Sequence, residues 1–493
     1  MSDQLRNKTI GALFWSFFDR IGQNGLQFVI SIVLARLLAP AEFGLIAILS
    51  VFMAVAQSII DSGFGSALIQ KQDVSHVDEC SIFYFNIIVG IFVAGLLCLV
   101  APWIARFYNA PLLVFLTRAL SLNLVINAFG LIQTSLLSKR IDFKSQFKIS
   151  FIATAFSGMI GILMAYNGFG VWSLAAQSLS QNLFRTFLLW YLMSWRPSWI
   201  FSFLSIQTLF VFGSKLFFAG LLETIFQNIY LVIIGKLFPP ADLGFYARAR
   251  SIEQLPVQNI TGTVGRVTYP VFSSMQEDRK RLKSAVRKAL LTIAMMIFPV
   301  MIGLAAVAEP LVSALLTDKW LPCVIYLQLL CAVGILYPLH AVNLNVLKAQ
   351  GRSDLFFKIE VLKKFLVVVA IAMTYQSGIS AMIIGQIATS FLAYYMNSYY
   401  TGKLLDYGVT EQIRDVIPAL IISCIMGGVV YGVTLVPLST PLISVIVQIT
   451  AGIILYIAIC CLVRKNEILE IMTMIKQQWL ILRRADSRNL KGD

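Results

Sequence analysis

The chain has 493 residues, of which 58% are hydrophobic and 13% charged, with a net charge of +15 and a mean hydropathy of +0.81. Soluble domains carry about 25% charged residues, so a soluble globule is excluded. The basic excess then points to membrane orientation and anionic headgroups rather than to nucleic acid.

In chain order, runs long enough to cross a hydrocarbon core of about 30 Å fall near 12–37, 43–69, 81–105, 112–137, 147–167, 170–193, 207–237, 242–272, 287–308, 323–347, 355–376, 379–402, 415–435 and 441–463. The expected fold is therefore an all-α polytopic membrane protein with about 14 transmembrane helices. Pro40, Pro111, Asn167-Gly168, Pro239-Pro240, Ser377-Gly378 and Pro437 punctuate the connections. No connection is long enough for a separate soluble domain. No cleavable signal is expected, because the apolar segment after Arg6 and Lys8 contains Asp19 and Arg20.

Basic residues concentrate in alternate connections, including Lys139, Arg140, Lys144, Arg279, Lys280, Arg281 and Lys283, and in both terminal segments. The positive-inside rule places both termini in the cytoplasm. Trp195 and Trp199 are expected at the cytoplasmic interface. Ile468, Ile471, Met472, Ile475, Trp479 and Leu482 share one face of an expected interfacial helix in the basic tail.

The chain also repeats itself. Gln27 to Phe52 reads QFVISIVLARLLAPAEFGLIAILSVF, and Gln227 to Ile252 reads QNIYLVIIGKLFPPADLGFYARARSI. Arg36, Pro40, Glu42 and Gly44 correspond to Lys236, Pro240, Asp242 and Gly244. Phe147-Lys148-Ile149 recurs as Phe357-Lys358-Ile359. Two parallel six-helix repeats follow, a hallmark of transporters. The expected organisation is an N-terminal lobe (1–200), a C-terminal lobe (201–405), two additional spans (406–465) and an amphipathic basic tail (466–493).

Polar residues inside the apolar runs mark the expected site. The first span carries Ser16, Arg20, Gln23, Asn24, Gln27 and Ser31 on one helical stripe. Glu223, Thr224, Gln227 and Asn228 recur at the equivalent height. Asp61, Gln181, Asn182, Arg185, Arg250 and Gln254 add to the set, with Arg248 and Glu253 near that face. A charge at the bilayer centre costs about 2.5–3.5 kcal/mol on insertion scales. Any single acid–base pair, such as Arg250 with Glu253 or Glu360 with Lys364, reads equally as structural glue. A stripe repeated in both halves is better explained by a lumen. Arg20, Arg185, Arg250 and Lys364 make that lumen cationic and suited to phosphate. Asp61, Glu223 and Glu360 are the expected H⁺- or Na⁺-coupling acids. No catalytic residue, metal site or cofactor is expected: the cysteines form no CxxC pair, and His76 and His340 are the only histidines.

The segments LARLLAPAEFGLIAI, LGFYARARSIEQLPVQNI and VTYPVFSSMQED resemble the polysaccharide exporters, in particular the colanic-acid-exporter-like lipopolysaccharide-biosynthesis flippases of the multidrug/oligosaccharidyl-lipid/polysaccharide transporter superfamily. The resemblance implies two lobes around a cationic cavity. It implies a bacterial inner-membrane carrier that moves an undecaprenyl-diphosphate-linked oligosaccharide from the cytoplasmic to the periplasmic leaflet by alternating access. Membrane lipids, the lipid-linked substrate, and a polysaccharide polymerase with its export machinery are the expected partners. An ion-coupled multidrug exporter of the same fold is the alternative, and an acidic cavity would favour it. A membrane enzyme would need a larger catalytic loop.

Overall fold

A computed structural model describes residues 22–71, 73–434 and 439–463. Among them every regular element is a helix, and the chain is an all-α polytopic membrane protein. Arg20, Pro437 and the expected tail helix lie outside the described residues. The helices are α1 (22–37), α2 (Pro40–Asp61), α3 (Phe64–Gln70), α4 (His76–Tyr108), α5 (Leu112–Lys139), α6 (Phe143–Tyr166), α7 (Val171–Leu192), α8 (Phe203–Leu237) and α9 (Pro240–Ser274). They continue with α10 (Arg279–Ala306), α11 (Ala308–Leu316), α12 (Cys323–Gly334), α13 (Tyr337–Ala349), α14 (Ser353–Thr374), α15 (Ile379–Leu405), α16 (Val409–Val433) and α17 (Pro441–Val463).

Ten described segments are long and apolar enough to cross a membrane, with α12 and α13 counting as one. Three long helices are too polar to join them: α7, α9 and α14. They occupy the places of the sixth, eighth and eleventh expected spans. They also carry Arg185, Arg250 and Gln254, and Glu360 and Lys364. Polarity of this kind in a long helix is what a polar lining within a membrane bundle requires.

Two expected spans are broken. The run 43–69 divides into α2 and α3, because Ser62 (φ 45°) and Gly63 (φ 75°) both adopt left-handed backbone. The run 323–347 divides into α12 and α13, with Pro338 in the first turn of α13, where a missing N–H costs nothing.

By packing, the described residues form two units that meet along the chain at Gly244 and Phe245. In the first unit, α4 lies along α5 and α6 along α7. Small residues allow the second pairing. Ala153, Ser157, Gly161 and Ala165 recur every four residues on α6, all buried. A side chain at Gly161 would come within 2.9 Å of the Gln177 Cβ, so α7 approaches closely. α1 packs into the same layer through Ile30 and Leu34, against Ala165 and Leu174.

The repeated turns also meet inside this unit. Pro40 opens α2, and the Glu42 carboxylate accepts the Ala39 N–H at 2.6 Å. A Cβ added to Gly44 would sit 1.8 Å from the Pro240 carbonyl oxygen; one added to Gly244 would sit 2.0 Å from that of Pro40. The two glycines are reciprocal, each admitting the other turn's backbone. Lys236 ends α8 by donating to the Phe107 carbonyl at 2.6 Å.

Trp195 corrects one expectation. It is buried, and its indole N–H donates to Glu79 at 2.7 Å. Phe64, Phe83 and Ile132 surround it in an apolar cluster. Trp199 is 95% exposed and stacks on Tyr84. Only Trp199 has the exposure of an interface residue.

In the second unit, α10 packs on α16 and α12 on α15. Arg279, Lys283 and Arg287, one turn apart on α10, pair with Asp406, Glu411 and Asp415 at 3.3, 3.0 and 2.6 Å. Part of the basic cluster that reads as an orientation signal is thus matched by acids around the start of α16.

Candidate functional site

α7 is the most polar of the long helices in the first unit. At 100° per residue, Ser178, Gln181, Asn182 and Arg185 fall within an arc of about 100°. One edge of that stripe, Gln181 and Arg185, lines a cavity of about 220 Å³ with Gln23 of α1 and Gln146, Ser150 and Ala153 of α6.

Local structure sets each side chain. Asp142 caps α6 by accepting the Ser145 N–H at 3.0 Å. The Gln146 amide donates to Ser138 Oγ at 3.0 Å, which ties α6 to α5. The Gln181 amide donates to Thr154 Oγ1 at 3.1 Å. Each glutamine therefore commits its N–H to the fold and keeps its carbonyl oxygen as an acceptor. Among the described residues the cavity lining holds one guanidinium, three carboxamides and one hydroxyl, and no acid. A planar guanidinium held among neutral amides suits a phosphate or carboxylate, which it can bind through two parallel hydrogen bonds. The carboxamides suit hydroxyl-rich ligands, since each offers both a donor and an acceptor.

The structure brings Gln23 and Arg185 of the expected set together. Asn24 and Gln27 lie further along α1, and Gln27 is exposed. Asp61 ends α2 beside Gly65, where an added Cβ would lie 3.1 Å from Asp61 Oδ1 and 3.3 Å from Ser135 Oγ. Glu223 accepts from Gln227 at 3.1 Å within α8. The neighbouring Thr224 meets Ser58 of α2 at 3.1 Å.

Arg250, Gln254, Glu360 and Lys364 belong to the second unit. Gln254 accepts from Gln258 at 3.4 Å. Glu360 pairs with Lys363 at 2.8 Å, not with Lys364 as the spacing of four suggested. Offsets of three and four both bring helix side chains within reach, and here the offset of three takes the contact. Glu253 is 7% exposed. A Cβ at Gly334 would fall 2.4 Å from its Oε1, so α12 carries glycine where the carboxylate needs room.

Sequence reading missed Gln146 and Ser150. Gln146 sits between Lys144 and Lys148, and Ser150 just after them, beside a stretch that reads as an orientation signal. The available sign was their spacing of four, which Ala153 continues around one face.

The profile of a family described as "Polysaccharide biosynthesis protein" matches residues 33–325, more than half of the chain. The chain belongs to the polysaccharide biosynthesis protein family. It is 28% identical to the lipopolysaccharide biosynthesis protein WzxC of Escherichia coli K12 over 445 residues, covering 87% of this chain and 89% of that protein. It is 28% identical to the teichuronic acid biosynthesis protein TuaB of Bacillus subtilis 168, covering 77% and 79%. Among solved structures, the inward closed conformation of the lipid II flippase MurJ superposes with a TM-score of 0.73 at 14% identity, covering 93% of this chain and all of that one. An inward-facing multidrug transporter of the MATE family reaches 0.60 at 14% identity, with 77% and 95% covered. At these identities the two structures establish the fold.

Proposed function

We propose that this family member is a flippase that moves an undecaprenyl-diphosphate-linked oligosaccharide from the cytoplasmic to the periplasmic leaflet of a bacterial inner membrane. The carrying observation is the cavity that joins Arg185 to Gln23, Gln146 and Gln181 within a membrane helix bundle. Its guanidinium takes the diphosphate. Transport proceeds by alternating access between two six-helix lobes within about 14 spans, with both termini cytoplasmic. Arg20, Arg250 and Lys364 complete the anionic-substrate path, with Asn24, Gln27 and Gln254 as polar lining. Asp61, Glu223 and Glu360 are the acids through which H⁺ or Na⁺ couples. A polysaccharide polymerase and its export machinery receive the product. The names of WzxC and TuaB and the fold shared with MurJ support this reading. They also favour a carrier over an enzyme.

The test is a flipping assay in proteoliposomes. The lipid-linked repeat unit is loaded, and a membrane-impermeant reagent reports the arrival of its sugar on the far leaflet, with and without a pH or Na⁺ gradient. Protein-dependent access that falls with Arg185→Ala supports the assignment. No access, from folded wild-type protein under any gradient, rejects it. The MATE-like fold keeps a drug exporter in view, but a guanidinium lining with no acid among the described residues disfavours the cations that such exporters carry.

A further inference from the structure

The other edge of the α7 stripe lines a second cavity, of about 330 Å³, between α2, α5 and α7. This volume lies within the range of about 300–1,000 Å³ typical of small-molecule sites. It would hold about ten waters at roughly 30 Å³ each, more than a packing defect between helices provides.

Its polar lining is neutral. Asn182 donates to the Asn123 carbonyl oxygen at 2.9 Å, and Asn123 donates to Ser178 Oγ at 3.0 Å. This chain fixes one wall. On the other, Asn127 reaches Gln57 Oε1 at 3.5 Å, a marginal contact. The second N–H of Asn127, its Oδ1 and the Gln57 amide N–H groups have no partner among the described residues. They are donors and acceptors available to a guest. Ile46, Met53, Leu120, Leu124 and Leu174 complete the lining. Neutral amides and aliphatic carbons in one lining match a pyranose, which has hydroxyl edges and C–H faces. An ion would find no charge here.

We propose that this chamber binds one neutral sugar of the carried glycan, with Gln57 and Asn127 as its hydrogen-bonding contacts. The proposal rests on the flippase reading and adds a sugar subsite separate from the Arg185 cavity.

The test is titration calorimetry on the purified full-length chain. The probes are farnesyl diphosphate and its glucosyl, galactosyl and N-acetylglucosaminyl esters. At least one ester is expected to bind about tenfold more tightly than the bare diphosphate, a gain equal to one or two net hydrogen bonds. Asn127→Leu and Gln57→Ala should each erase most of that gain and leave farnesyl diphosphate binding as in wild type. If Asn127→Leu does not fold, the milder Gln57→Ala decides. Equal wild-type affinity for all four probes overturns the subsite and leaves the flippase reading standing. So does a sugar-dependent gain that survives in the variants, or a variant that weakens all four probes alike. Failure of wild type to bind farnesyl diphosphate overturns the diphosphate assignment, and this proposal with it.

Discussion

Asn343 and Gln412 exchange two hydrogen bonds, each of 3.1 Å, and neither side chain is exposed. The pair joins α13 to α16. Gln412 Oε1 also accepts from Tyr394 and Ser398, at 3.1 and 2.9 Å, and its amide donates to the Tyr407 carbonyl at 3.1 Å. Five bonds on one carboxamide make it the polar centre of the second unit's core. Gln412→Leu would strand several buried groups at about 1–3 kcal/mol each. We expect a melting temperature lower by several degrees. A thiol-reactive dye can follow the transition, because Cys80, Cys323, Cys331 and Cys460 are buried free thiols. Unchanged melting would refute the assigned weight.

Gly44→Ala and Gly244→Ala each place a methyl group within 2.0 Å of a backbone oxygen. Neither the carbonyl nor the helix start can yield without separating the two turns, so a loss of at least about 1–3 kcal/mol is expected. Gly95→Ala is the control. Nothing lies within 4 Å of its added carbon, and alanine in a helix interior gains about 0.5–1 kcal/mol over glycine. Melting curves of the three variants should therefore split in sign.

Arg185→Ala should lower the initial flipping rate at least tenfold in protein that is still folded and inserted. Arg185→Lys keeps the charge but loses the planar fork. It should restore only part of the rate, whereas full rescue would show that charge alone suffices.

The Glu360–Lys363 pair separates coupling from glue. Lys363→Met leaves the partly buried carboxylate without its partner and should destabilise the protein more than the double variant Lys363→Met/Glu360→Leu does. If the double variant flips substrate with the wild-type gradient dependence, the pair is structural. Loss of gradient dependence in folded protein assigns Glu360 to coupling.

The sequence made some features legible and hid others, for physical reasons. The turn signals at Pro40 and Gly44 are local, so their role could be read directly, and repetition at Pro240 and Gly244 reinforced it. Arg185 stood out because charge in an apolar run is costly. Gln146 and Ser150 did not, because neutral polar residues near a basic segment read as the margin of a span. Asn123 and Asn127, two polar positions four apart in an apolar helix, carried a signal that only the cavity between α2, α5 and α7 explains. The burial of Trp195 depends on Glu79, more than a hundred residues away in sequence. No local pattern shows that partner.

One helix serves both cavities. Gln181 and Arg185 face one, and Ser178 and Asn182 the other, all on the same two turns of α7. A ligand that tilts or stiffens α7 from either side therefore changes the wall of the other chamber. Linkage requires the effect to be mutual: whatever factor occupancy of the first applies to affinity at the second, the second returns to the first. Any coupling between the two chambers would run through α7, the wall they share.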